Sequence, residues 1–339
     1  MIHTTALTKD FVVSRTETVH AVKGINLTVE PGELVAVLGP NGAGKTTTMR
    51  MLTSLIHPTS GTARVAGYDV ATDPSQVRRR IGYVGQGNGA GHTQLVRDEM
   101  YTQGVIYGLD RRSAARRADE LLAALDLVPL AKRKVSDLSG GQRRRLDVAM
   151  GLVHAPSLLF LDEPSTGLDP QNRANLWEHI LRMRVEHEMT IMLTTHYLDE
   201  ADSMAERVVV VDHGEIIADD TAENLKNNLA GDRVVLSVAP MPDAGAHLEQ
   251  VVSRVEHVRE VTTDSPGHLT VRVDQGPHTL PRLLRAVDAA GFTVTAAELH
   301  RPTLDDVFLG LTGRSLRESS AAAETDPASP DAATDKDAA

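Results

Sequence analysis

Gly39-Pro40-Asn41-Gly42-Ala43-Gly44-Lys45-Thr46 is the stretch on which the fold of this chain turns. It matches G-x-x-x-x-G-K-S/T, with an apolar strand, Glu33–Leu38, before it and a helix from about Lys45 to Ser54 after it. Glycines let the backbone curl so that successive N–H groups point inward at phosphate oxygens, helped by the positive end of the following helix. Lys45 then reaches the outer phosphates of a nucleotide, and Thr46 offers a hydroxyl to Mg²⁺. The flanking strand and helix argue against a chance Gly-rich turn.

Two further stretches belong with it. Leu158-Leu159-Phe160-Leu161 reads as a buried strand that ends in Asp162-Glu163. Carboxylates at the carboxyl end of a parallel strand point into the crevice where such sheets bind ligands. Asp162 is placed to hold Mg²⁺, directly or through water, and Glu163 to polarise a water attacking a terminal phosphorus. Leu138-Ser139-Gly140-Gly141-Gln142 precedes a helix carrying Leu146, Val148, Ala149 and Leu152. Ser139 with Gln142 three positions on is a capping box, so a helix begins there, and its glycines leave N–H groups uncovered for a phosphate.

The 339 residues suffice for one large and one small domain. Hydrophobic content of 41% and charged content of 24% are ordinary for a globular chain. The longest apolar runs are strand-length, far below the roughly 20 residues a bilayer requires, and no signal peptide is read at the start. With no cysteine, disulfides and thiolate chemistry are excluded, which fits a cytosolic chain. A net charge of −11 disfavours broad contact with nucleic acid, and no nucleic-acid partner is expected. Most of the arginine clusters, at 78–80, 111–112, 116–117 and 143–145, are read as solvated helix faces.

Short strands are expected at Ile2–Leu7, Val19–Val22, Ile25–Val29, Thr62–Val65 and Ile81–Val84. A helical region follows from about 87 to 155. Leu158–Leu161, a helix around Arg173–Val185 and Thr190–Thr194 imply a parallel sheet covered on both faces, and Val208–Val211 with Glu215–Ala218 a hairpin. A helix is expected to start at Asp220, capped with Glu223. Strands at 234–238, 258–263, 269–273 and 293–299, with helices at 247–255 and 280–290, form a β-α-β-β-α-β series of ferredoxin-like type. A last short helix spans 304–311. The Ala, Ser, Pro and Asp-rich end is expected to be disordered.

Taken together these motifs resemble the nucleotide-binding subunit of an ATP-binding cassette (ABC) transporter. Gly39–Thr46 resembles Walker A, Leu158–Glu163 Walker B and Leu138–Gln142 the family signature. The resemblance covers residues 1 to about 228. It implies a P-loop α/β ATPase domain (1–228) with a parallel-sheet core, an N-terminal antiparallel β subdomain and a helical subdomain inserted at about 87–155. The ferredoxin-like α+β domain would occupy 229–312 and an acidic tail 313–339. ATP and Mg²⁺ are the implied ligands. ATP would contact Gly39, Pro40, Asn41, Gly42, Ala43, Gly44, Lys45, Thr46 and Thr47. A second copy would complete the site with Ser139, Gly140, Gly141 and Gln142, the two copies sandwiching ATP head to tail. Gln86 resembles the Q-loop glutamine that senses Mg²⁺ and the membrane partner. Thr46, Gln86 and Asp162 form the implied metal set. Ser165–Asp169 resembles the D-loop, placing Asp169 at the nucleotide interface. His196, between Thr194-Thr195 and Asp199-Glu200-Ala201, resembles the switch histidine. Glu163, His196 and Gln86 are thus the implied catalytic set, and Phe11 sits where the family stacks an aromatic on adenine.

Arg143–Asp147 and the ending Pro302–Gly313 point to the daunorubicin-resistance branch, whose subunits pair with a separate ABC-2-type permease at the cytoplasmic face of the membrane. Export of hydrophobic drugs or lipids is the implied work. The Gly-rich run Gly87–Gly91, and Gly85 where proline is commoner, depart from the family where it meets its permease. A soluble ATPase of the same superfamily, as in iron–sulfur assembly, is the alternative. A small-molecule kinase would leave Ser139–Gln142 and His196 without work. The small domain is compatible with a structural or a ligand-sensing role.

Overall fold

The structure is a computed structural model that describes residues 1–239, 245–265, 267–313 and 315. The chain divides into a unit from Met1 to Asp219 and a second beginning at Asp220. The expected acidic tail beyond residue 315 lies outside the described residues.

The first unit opens with β1 (Ile2–Val12), β2 (Thr18–Ile25) and β3 (Thr28–Val29). Then come β4 (Leu34–Leu38), α1 (Lys45–Leu52), β5 (Ser60–Val65), β6 (Tyr68–Asp69), α2 (Pro74–Arg78) and β7 (Ile81–Val84). A helical stretch contributes α3 (Val96–Ile106), α4 (Arg111–Ala124) and α5 (Gly140–Gly151). The unit ends with β8 (Leu158–Asp162), α6 (Pro170–His187), β9 (Thr190–Thr195), α7 (Leu198–Met204), β10 (Arg207–Asp212) and β11 (Glu215–Asp220).

β1, β2, β3, β5 and β6 form an antiparallel sheet. The other sheet runs β11-β10-β4-β9-β8-β7, with β10, β4, β9, β8 and β7 paired in parallel. Every residue of β4, β8 and β9 is buried, as both-faced cover of a parallel sheet requires. Side chains from both sheets, including Leu7, Val22, Val37, Met49, Phe160 and Val211, merge into one apolar core, each worth about 1.5–3 kcal/mol of transfer free energy when fully buried. That core fixes the carboxyl ends of β4, β8 and β9 side by side.

The second unit continues through α8 (Ala222–Leu225), β12 (Asp232–Val238), α9 (Gly245–Ser253), β13 (Val258–Ser265), β14 (His268–Val273), α10 (Gly276–Ala289), β15 (Val294–His300) and α11 (Leu304–Thr312). Its sheet is antiparallel throughout in the order β13-β14-β12-β15, the ferredoxin-like arrangement. Val234, Leu236 and Val238 of β12 face Leu248, Val252, Leu283 and Val287 of the two helices. Arg233, Val235 and Ser237 alternate onto the opposite face. Thr303 and Asp306 cap α11 reciprocally, and Gly313 closes it in the left-handed region at φ 75°.

Local expectations shift in a few places. β1 does not stop at Leu7. It bulges at Ala6, which takes φ 47°, then pairs on to Val12 because Asp10 and His20 join across the strands at 2.7 Å. The cap of α8 is Thr221, whose side chain accepts from the Asn224 N–H, rather than Asp220. Two short helices without a strong apolar period, α2 and α7, escape the sequence reading.

The bulge depends on Gly61. A Cβ there would stand 2.2 Å from the Ala6 carbonyl oxygen, and the residue holds φ +78°. Gly61→Ala is expected to destabilise the first unit by about 2 kcal/mol or more, read as a lowered midpoint in urea unfolding followed by Trp177 fluorescence.

Candidate nucleotide site

β4 ends at Leu38 and the chain turns through residues 39–44 into α1. Gly44 takes φ 100° as the N-cap, and a Cβ on it would meet the Ala21 carbonyl oxygen at 2.5 Å. A Cβ on Gly39 would meet the Val211 carbonyl oxygen at 2.2 Å. The loop is thus wedged between β2 and the turn after β10, where Gly214 N–H donates to the Ala43 carbonyl and Lys23 N–H to that of Gly214. Lys45, only 4% exposed, donates from Nζ to the Gly39 and Pro40 carbonyls at 2.8 and 3.1 Å. Its ammonium lies 3.6 Å from Glu163 Oε1. Two loop carbonyls and a carboxylate thus stand around a cation that is almost wholly removed from water.

The facing wall comes from the ends of β8 and β9. Asp162 is fully buried. It accepts hydrogen bonds from Thr194 Oγ1 at 2.6 Å and Thr46 Oγ1 at 3.1 Å, and Gln86 Nε2 donates to Thr46 Oγ1 at 3.0 Å. Burial pushes the Asp162 carboxyl upward against these hydrogen bonds. It also raises the Tyr83 hydroxyl, with help from Asp162, to about 12. Glu163 sits in the left-handed region at φ 46°, anchored by its N–H donating to Thr194 Oγ1 at 3.1 Å. That strained backbone aims the side chain toward Lys45 and His196, whose Nδ1 lies 3.3 Å from Glu163 Oε2. Burial pushes the Glu163 carboxyl up, but His196 and Lys45 outweigh it and the net direction is down, so the group is a carboxylate at neutral pH.

The signature stretch starts α5 as expected: Gln142 N–H donates to Ser139 Oγ and Ser139 N–H to Gln142 Oε1. Gly141 packs against Asn172, which would stand 2.7 Å from a Cβ there. Asn172 in turn donates to Asp169, the N-cap of α6. The arginine run behind the signature departs from the solvated reading: Arg143 and Arg145 are half-buried and donate to the Val135 and Leu125 carbonyls, and Arg144 is buried. Arg144 is 8% exposed and donates to four carbonyls: Gly85 and Pro164 at 2.6 Å, Asp162 at 3.2 Å and Glu163 at 3.3 Å. One turn on, Asp147 accepts from the Gly89 N–H at 3.0 Å. The pair grips the backbone on both sides of Gln86, including the flexible-looking Gly87–Gly91 run.

Glu200 has a structural part that the spacing around His196 does not reveal. It is buried, takes Thr195 Oγ1 at 2.9 Å and Ser165 Oγ, and so ties the strand before His196 to the Ser165–Asp169 loop. Neither residue announces itself in one sequence, because their partners are backbone carbonyls and hydroxyls distant along the chain.

A cavity of about 440 Å³ opens over the phosphate loop, lined by Asn41–Thr47, Gln86, Glu163 and the β2 residues Val19–Lys23 except Val22. Phe11 does not line it; it lies on β1 opposite Val19, which does. His196 reaches the cavity through Glu163. Ser139, Gly140, Gly141, Gln142 and Asp169 are outside its lining. The structure therefore brings together Lys45, Thr46, Gln86, Asp162, Glu163 and His196, and leaves the signature elsewhere on the same chain.

Residues 22–166 match the family model described as ABC transporter, and residues 221–312 that described as the C-terminal domain of DrrA1-3-like ATP-binding proteins. The chain is 42% identical to daunorubicin resistance ATP-binding protein DrrA2 of Streptomyces coeruleorubidus, over 86% of this chain and 90% of the relative. It is 33% identical to linearmycin resistance ATP-binding protein LnrL of Bacillus subtilis, over 88% and 95%. Among solved structures it resembles a dimeric post-hydrolysis state of the ATP-binding cassette MJ0796 bound to ADP and Pi, at TM-score 0.60 and 25% identity over 65% of this chain and 98% of that one. No described helix is long and apolar enough to cross a membrane. A phosphate loop, an acidic strand end and a Ser-Gly-Gly helix start, followed by a DrrA-type C-terminal domain, make this chain a member of the ATP-binding subunits of ABC transporters, in the daunorubicin-resistance group.

Proposed function

We propose that this chain is the ATP-hydrolysing motor of an exporter and works as a head-to-tail pair. Each phosphate-loop cavity is completed by the Ser139–Gln142 stretch of the other copy. The observation that carries this reading is the separation within one chain: Lys45, Gln86 and Glu163 line one cavity, while the uncovered helix start at Gly140 lies outside it. ATP seated on the loop would place its terminal phosphate at Lys45 and His196 and present its outer face to the partner's Ser139 and Gly141 N–H. Several charge-assisted hydrogen bonds, each worth roughly 1.5–3 kcal/mol, then depend on one phosphoryl group. Its loss reverses the pairing.

The donor set suits Mg²⁺: one buried carboxylate, the Thr46 hydroxyl and the Gln86 amide oxygen, all hard oxygens, with the remaining ligands left to phosphate and water. When bound, the ion neutralises charge on the phosphate oxygens. Glu163 orients the attacking water and receives its proton, while Lys45 stabilises the charge on the transferred group. Arg144 acts as a positioning residue, holding the backbone of Gly85 next to Gln86 and that of Glu163 itself. We further propose that an ABC-2-type permease at the cytoplasmic face of the membrane supplies the transport path, carrying a hydrophobic drug or lipid-like substrate. This reading is supported by the resistance and export names of the relatives, among them the Nod factor export ATP-binding protein I of Burkholderia lata.

Glu163→Gln is expected to bind ATP normally and to lower steady-state phosphate release by about a hundredfold or more. Undiminished turnover would remove Glu163 from the chemistry. Arg144→Gln is expected to keep nucleotide affinity within about threefold and lower turnover about tenfold; a matched loss of affinity and melting temperature would make it merely structural. Because the chain has no native cysteine, Asn41→Cys with Ser139→Cys in the Glu163→Gln background gives a clean test of the pair. An inter-copy disulfide should form with ATP and not with ADP, and nucleotide-independent or absent cross-linking refutes the arrangement.

A further inference from the structure

The second unit has a cavity of its own, about 430 Å³, between the outer face of its sheet and α11. Arg233, Arg272, His300 and Arg301 line it, with Asp306 on the helix side. The strand register explains the crowding. Arg233 on β12 lies directly opposite Arg272 on β14 and, on its other flank, opposite His300 on β15. Like charges directly opposed across strands destabilise a sheet unless something screens them. Arg272 has Glu260 at 3.7 Å and His300 has Glu298 at 3.3 Å. Asp306 is engaged in the helix cap, accepting from the Thr303 N–H and hydroxyl at 2.8 Å each. Arg233 and Arg301 have no hydrogen-bond or ion-pair partner among the described residues. The cap also satisfies the start of α11, so the positive groups left facing the cavity are the guanidinium groups.

We propose that this cavity is a binding site for a phosphate-bearing ligand, with the phosphate seated at Arg233 and Arg301 and Arg272 beside them. Planar guanidinium groups bind phosphate oxygens in pairs, and the volume fits a headgroup or small metabolite. A dianion there would also relieve the repulsion between the directly opposed Arg233 and Arg272. Nothing in the inference depends on the paired-cassette reading, since the site lies within the second unit.

The test uses the full chain saturated with Mg-ADP, so that the phosphate loop is filled. Inorganic pyrophosphate is measured by equilibrium dialysis, and phosphatidylcholine vesicles with and without phosphatidylglycerol by flotation. The expected result is binding that survives ADP and falls about tenfold or more in Arg233→Gln/Arg301→Gln. Pyrophosphate binding alone identifies a soluble phosphorylated ligand, and phosphatidylglycerol-dependent flotation lost in the variant identifies a lipid headgroup. Arg301→Gln alone, an exposed position outside any helix or strand, decides the matter should the double variant unfold. Absence of both kinds of binding, or binding that the variants leave unchanged, overturns the proposal.

Discussion

The nucleotide site is organised around an almost fully buried ammonium, that of Lys45 in the phosphate loop. Lys45 is held by two loop carbonyls and stands 3.6 Å from one carboxylate oxygen. Taking a charge out of water costs several kcal/mol unless partners replace the lost hydration. Carbonyl dipoles and Glu163 offset that cost, and the phosphates of the proposed nucleotide would add to the offset. The same need explains the parallel sheet: β4 delivers the loop, and β8 and β9 deliver the acid and its hydroxyl partners to adjacent strand ends.

Around that centre, buried polar groups hold the loops in place. Arg144 reaches four carbonyls, Asp147 holds the Gly-rich run, and Glu200 joins two loops through hydroxyls. Through Arg144, α5 is hydrogen-bonded both to the segment preceding Gln86 and to the turn bearing Glu163. The Gly87–Gly91 run, which looks unconstrained as sequence, is tied to this helix through Asp147.

The second unit solves a different problem. Its four-stranded sheet buries one face under two helices and leaves the other with a basic row at the level of Arg233. The direct opposition of Arg233 and Arg272 in that row, set in a cavity, is the reason for proposing a ligand there.

Short-range physics is legible in the sequence. The phosphate loop, the acidic strand end, the capping box at Ser139 and the β-α-β-β-α-β series all rest on spacings within a few residues, where glycine freedom, capping and periodicity act locally. Glu163 and His196 were legible as candidates, but their 3.3 Å approach is not, since it requires β8 and β9 to be neighbours and Glu163 to take a left-handed backbone. The bulge at Ala6, the burial of Arg144 and the opposition of Arg233 to Arg272 were likewise invisible, because each depends on which strand or loop lies alongside. The sequence by itself determined the elements and the chemistry they carry. Only the tertiary structure decided which side chains share a wall and which arginines face solvent, because those follow from sheet order and register, contacts between residues far apart along the chain.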